Sequence, residues 1–159
     1  MRGSRATAKL ARAIKTTGIT DMRAIALAAA LTLSAAPAFA ADPAEGEWFN
    51  QSGSGKIRIG PCPSQPGKLC GAISWLRPPN EKALDSQNPD PKLKTRPILG
   101  MPMLWGFKSS APGKWTGGKI YDPNSGKTYD SKISVNPNGT LKVEGCVAVI
   151  CQAQTWKRA

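Results

Sequence analysis

The chain has 159 residues, 22 of them basic and 10 acidic, for a formal net charge of +12, and it has no histidine. The missing histidine excludes the Ser–His and Cys–His triads and removes the commonest general base and metal ligand. The positive charge favours approach to anionic surfaces or ligands, while lysines alternating along strands serve solubility equally well.

In chain order, residues 1–40 read as a leader rather than as part of a fold. From Met22 the sequence "MRAIALAAALTLSAAPAFA" places a basic residue at Arg23, an apolar run from Ala24 to Ala36 and a small-x-small site at Ala38-Phe39-Ala40. That is the layout of a secretory signal peptide, with cleavage expected after Ala40. The apolar run is short for a helix crossing a hydrocarbon core of roughly 30 Å. No cysteine near the site would carry a lipid. Residues 1–21 either extend the basic region or precede a true start at Met22. What remains, 41–159, is expected to be one domain without a membrane span, periplasmic or secreted. It holds 16 basic and 9 acidic residues, a net charge of +7.

Eight segments of 41–159 alternate apolar and polar residues, as half-buried strands do. They are "GEWFN" (46–50), "GKIRIG" (55–60), "KLCGAISWL" (68–76), "MLWGFKS" (103–109), "KWTGGKIYD" (114–122), "KTYDSKISV" (127–135), "TLKVEGCV" (140–147) and "CQAQTWKR" (151–158). In the third, Leu69, Gly71, Ile73 and Trp75 are expected on one face. "DPNSG" (122–126) and "NPNG" (136–139) carry strong turn and hairpin chemistry. Short hairpins in series predict an antiparallel meander. Eight strands can close on themselves and remove the exposed edges. The expected fold is therefore all-β, an eight-stranded up-and-down barrel, with a two-sheet sandwich as the second choice.

Residues 77–102 are too long for an ordinary hairpin loop and carry prolines at 78, 79, 89, 91, 97 and 102. Prolines stiffen a loop and lower the entropy lost when it orders. Asp90-Pro91 reads as an N-cap and first helical position, predicting one helical turn through Lys92–Thr95 that stops before Pro97. "ILGMPML" (98–104) is apolar enough to lie against the barrel. The stretch is expected to cover one barrel mouth or to pack along its side. Either it plugs the interior or it forms a ligand lid, with Lys92, Lys94 and Arg96 presenting positive charge.

Four cysteines, Cys62, Cys70, Cys146 and Cys151, follow the export signal. An even count there argues for disulfides, and the local pairs are the simplest of three connectivities. Zinc is disfavoured because neither pair is a C-x-x-C. "SGKT" (125–128) lacks the earlier glycine of a phosphate-binding loop, since that position is Tyr121. "DPNSG" and "DSQNPD" (85–90) do not match a calcium loop and read as turn chemistry. Asp85, Asp90, Asp122 and Asp130 show no spacing that singles out an acid/base pair.

Gly46-Glu47-Trp48 opens the domain and Trp156-Lys157-Arg158 closes it. First and last strands are neighbours in such a barrel, so a late cation can cover an early indole. A G-x-W start with a late arginine resembles the lipocalin and calycin pattern. Gly46, Trp48, Trp156 and Arg158 are the expected closure residues.

The chain also resembles the bacterial family called domain of unknown function 2147. The likeness is carried by "PC…KLCGAISWL" (61–76), "NPDPKLKTRPILGMPML" (88–104), "WTGGKIYDPNSGKTY" (115–129) and "QTWKR" (154–158). The resemblance implies a small exported barrel of lipocalin-like topology and no catalytic residues. "EGCVAVICQAQTW" (144–156) departs from it, with Cys146 and Cys151 where a Gly- and aromatic-rich hairpin is frequent.

The reading that follows is a non-enzymatic barrel of the cell envelope, without cofactor, metal or nucleic-acid partner, that binds a small amphiphilic or anionic ligand. Its lining residues are expected to be Trp75, Arg96, Trp105, Tyr121, Tyr129 and Gln154. The alternative is a filled barrel that uses its basic face on an anionic envelope surface.

Overall fold

The structure is a computed structural model that describes residues 41–159; the expected leader and its cleavage site lie outside the described residues. Eight strands follow one another: β1 Gly46–Phe49, β2 Gly55–Pro61, β3 Lys68–Leu76, β4 Pro102–Ala111, β5 Lys114–Asp122, β6 Lys127–Val135, β7 Leu141–Val147 and β8 Ile150–Arg158. Each pairs antiparallel with the next, and β8 returns to β1, closing the barrel. The sequence alternation therefore predicts all eight strands and their order.

Odd-numbered strands rise from the base to the top, so the connections divide into two sets. The base carries the Cys62–Cys70 loop and two tight turns. The top carries the β1–β2 loop, the long β3–β4 cover, the β5–β6 turn and the two-residue β7–β8 tip. Inward residues from all around the wall fill the lower barrel: Trp48, Ile57, Leu104, Phe107, Leu141, Val143 and Trp156 are almost fully buried. Interdigitated aromatic and branched side chains are what a barrel of this size needs to fill its lumen.

The seam is short. β1 meets β8 only through Trp48–Arg158 and Phe49–Lys157. Above it, the side chain of Gln51 accepts the Thr155 N–H at 3.1 Å. The β7–β8 hairpin above this point projects beyond β1.

The closure residues meet as expected. The Arg158 guanidinium lies 4.2 Å from the centre of the Trp48 ring. It also donates to the carbonyls of Glu45 at 3.0 Å and Pro43 at 2.9 Å. Gly46 has φ of +123°, and a Cβ there would strike the guanidinium. Glycine is thus required where the chain enters the barrel beneath Arg158. Trp156 is fully buried and donates to Gln154 at 2.9 Å.

Both local cysteine pairs are bridged, Cys62–Cys70 at 2.06 Å and Cys146–Cys151 at 2.04 Å. One bridge staples a base loop and the other the top hairpin. In the chain-entropy account each contributes about 2–2.5 kcal/mol.

Candidate functional site

The cover is anchored by a carboxylate. Asp85 is fully buried, yet both of its carboxylate oxygens accept hydrogen bonds. Tyr121 of β5 donates its hydroxyl to Oδ1 at 2.6 Å, and Asn88 donates to Oδ2 at 2.7 Å. Arg96 places Nε 2.9 Å and Nη2 2.8 Å from that same Oδ2. Asn88 also donates to the Tyr121 hydroxyl at 3.1 Å. The backbone repeats the link, with the Asp85 N–H on the Arg96 carbonyl at 3.0 Å. Residues 85–96 are thus a closed loop tied onto the outer face of β5.

The electrostatics follow from burial and its compensation. Burial pushes the Asp85 carboxyl up, but hydrogen bonds from Tyr121, Asn88 and Arg96, with the Arg96 charge, outweigh it and hold its pKa below the ordinary value. Burial, then the bond to Asp85, raises the Tyr121 hydroxyl above its own. A carboxylate saturated with donors and a phenol harder to ionise than usual are poised to hold structure rather than to move protons near neutral pH. Sequence reasoning read "DSQNPD" as turn chemistry and so missed Asp85 and Asn88 as the anchor. No local signal pairs Asp85 with Tyr121, which lies 36 residues away.

Asp90-Pro91 opens a helical turn beside this anchor. Asp90 caps a short 3-10 turn at Pro91–Leu93 by accepting the Lys92 N–H at 2.9 Å. The turn falls slightly earlier than the expected Lys92–Thr95 and is 3-10 rather than α. A second one at Asn80–Lys82 had no sequence signal. Gly126, in the β5–β6 turn, has φ of +68°, and a Cβ there would overlap the Gln87 carbonyl, so the cover presses directly on that turn.

Above the packed base, the lumen opens. One cavity of about 640 Å³ is lined by Ile57, Ile73, Leu76, Ala83, Ile98 and Met103, with Asn50, Ser54, Asp122 and Gln154 among its polar groups. A neighbouring cavity, also about 640 Å³, is lined by Ile120, Tyr129, Val143, Gly145, Val147 and Ile150. They share Gln51, Met103, Asp122 and Gln154, and together form a calyx with an apolar wall and a polar rim. Asn80, Ala83 and Ile98 place the cover at its mouth. The cover therefore both borders the mouth and packs along the side.

A different cavity, of about 840 Å³, lies on the outer wall under the cover. Arg58, Pro61, Ala72, Pro89, Arg96 and Trp105 are among its lining residues, with Tyr121. The structure thus distributes the six expected lining residues. Tyr129 and Gln154 reach the calyx, whereas Arg96, Trp105 and Tyr121 reach the outer groove. Trp75 lines neither. A bulge in the β2–β3 ladder, between Lys56 and Ile57, breaks the alternation that placed it with Ile73. Its ring instead meets Phe49 edge-on at 6.0 Å, with the Lys56 ammonium 5.6 Å above it. Lys92 and Lys94 are exposed, and Arg96 spends its charge on Asp85, so no lysine or arginine of the cover lines the calyx.

Among the described residues no cluster of acidic or cysteine side chains could hold a metal ion, and no helix is long and apolar enough to cross a membrane.

Comparison with known proteins adds family and fold. The sequence profile of a family described as uncharacterized proteins conserved in bacteria, DUF2147, matches residues 46–158. No curated protein matches. Among solved structures, the chain is similar to protein HP1028 from the human pathogen Helicobacter pylori, described as belonging to the lipocalin family. The two share 24% identity with a TM-score of 0.65, over 72% of this chain and 82% of that one. That likeness is one of fold.

Proposed function

We propose that this chain, which belongs to the DUF2147 family of bacterial proteins, is an exported barrel of the cell envelope that carries a small amphiphilic molecule in its calyx. One observation carries the reading: two adjoining cavities share Gln51, Met103, Asp122 and Gln154 above a fully packed base. Apolar walls with a few convergent polar groups are the usual make-up of a small-molecule site. The wall is Ile, Leu, Val and Met, which suits an aliphatic or flat hydrophobic body. The rim is Asn, Ser and Gln with a single carboxylate, Asp122, and no lysine or arginine. A neutral or cationic head fits that rim better than an anionic one. The two disulfides fit an oxidising compartment, and the leader pattern supports export.

Filling the cavity tests this. Gly145 faces the lumen, where a Cβ would make ordinary contacts of 3.6 Å to Ile120 and 3.8 Å to Tyr129. Gly145→Leu should therefore occupy the cavity and leave the barrel folded. Native mass spectrometry of protein purified from its own host, with solvent extraction of bound molecules, should show an amphiphile on the wild type. The signal should disappear in Gly145→Leu. Equal loading of the two proteins, or none on either, overturns the reading.

A further inference from the structure

The β7–β8 hairpin ends in four consecutive apolar residues, Val147-Ala148-Val149-Ile150. Three of them stand in solvent: Val147 is 64% exposed, Val149 94% and Ile150 73%. The two other short top connections differ sharply. The β1–β2 loop is Asn50-Gln51-Ser52-Gly53-Ser54 and the β5–β6 turn is Pro123-Asn124-Ser125-Gly126. The cover exposes Leu84, Leu93 and Leu99 only in part, at 47%, 37% and 42%. The tip groups its apolar side chains contiguously and opens them further, and contiguous exposed apolar patches mark interaction sites.

Four further features narrow the partner. The tip is convex, a two-residue turn with Ala148 in the left-handed region at φ of 52°. Immediately below it, Cys146–Cys151 bridges directly paired residues, so the hairpin is stapled in its projecting form. Val147 and Ile150 also line the calyx, so the apolar wall of Ile120 and Val143 continues over the rim onto the tip. Beside the tip lie Lys119 and Lys127. Lys119 is held by Asp130 at 2.7 Å, while Lys127 makes no ion pair among the described residues.

We infer that this tip is a docking point for a lipid bilayer, inserting Val149 and Ile150 among the acyl chains with Lys127 at the headgroups. A convex apolar point needs a soft, apolar receiver, and a bilayer supplies one without a matching pocket. Basic residues at the headgroup level add attraction to anionic lipid. The continuous apolar strip brings the calyx mouth to the lipid surface, which suits exchange of an amphiphile. That last step rests on the proposed function, whereas the docking itself does not.

The test is flotation with vesicles of phosphatidylcholine containing one quarter phosphatidylglycerol. The wild type should float with the vesicles, and Val149→Asp and Ile150→Asp should each weaken binding about tenfold or more. Both positions are exposed, and circular dichroism checks that the barrel persists. Val149→Trp gives an independent readout, an indole whose emission should shift to the blue on adding vesicles. Gly145→Leu, which fills the cavity but leaves the exposed Val149 of the tip in place, should still float, separating failure of docking from failure of the calyx reading. No flotation of the wild type, equal flotation of Val149→Asp, or an unshifted indole overturns the inference. So does a lipid-free dimer that Val149→Asp dissolves, because the tip would then pair two copies of the chain.

Discussion

The base and the top of this barrel are built on different physics. At the base, Trp48 and Trp156 are fully buried and Arg158 seals the junction of first and last strands. Area removed from water dominates there, and the large side chains come from residues already in the strand pattern. At the top the lumen is open, and order comes from one buried carboxylate with three side-chain partners. A hydrophobic plug tolerates small shifts, but a buried polar network is favourable only when every member is in place. The base should therefore set global stability, and the anchor should set whether the cover stays down.

The largest effect expected from this contrast is at the base. Trp156→Ala removes a fully buried indole and should cost about 3–5 kcal/mol of unfolding free energy. Urea titration should show it as a lowered midpoint for the entire barrel. A loss below about 1 kcal/mol would mean that the base is not the keystone.

Next comes the anchor. Arg96→Ala leaves Asp85 buried with only Tyr121 and Asn88 as donors. Breaking a buried pair typically costs about 3–5 kcal/mol, and the partial exposure of Arg96 reduces this to about 2–3 kcal/mol. The loss should be local. Amide hydrogen exchange should speed up at Asp85 and Ile98, whose N–H groups bond to Arg96 and Ala83. Amides of the β7–β8 ladder should change far less. Uniform acceleration across the barrel would erase the distinction between the two regions.

The same contrast explains what was legible beforehand. Strand identity, order and closure follow from a period of two and from turn residues, both local properties of the chain. Gly46, Trp48 and Arg158 were readable because barrel closure brings the two ends of the domain together. The anchor was not, because Asp85–Tyr121 is a non-local pair inside a loop whose path no periodicity describes. Trp75 was misplaced for a related reason. One bulge moves a residue to the other face, and the sequence "AISWL" gives no sign of it. The calyx was legible only in part: Tyr129 and Gln154 lie on regular strands, whereas Ala83 and Ile98 arrive with the cover.

A smaller effect sharpens the picture of the base. Arg158→Ala removes the cation over Trp48 and two donors to backbone carbonyls. Cation–π contacts of this kind contribute about 0.5–2 kcal/mol, so a loss of about 1–2 kcal/mol is expected in urea. Arg158→Lys should recover only part of it, because an ammonium cannot reach both carbonyls in the same fork.

The smallest effect at any ordinary pH, and the one that separates the two regions most cleanly, is acid sensitivity. The Asp85 pKa is lowered in the folded protein, so the unfolded chain binds this proton more readily. Its contribution is then complete above the ordinary aspartate pKa of about 4 and is lost as pH falls through the lower folded value. The cover should loosen in that window while the base, whose core is apolar, holds. Exchange at Asp85 and Ile98 should accelerate as pH falls below about 4, relative to the β7–β8 amides as internal reference. Tyr121→Phe removes a donor to Asp85 and should move the loosening to higher pH, because the carboxyl is then easier to protonate. A cover that loosens at the same pH in both proteins would show that Asp85 is not the group that holds it.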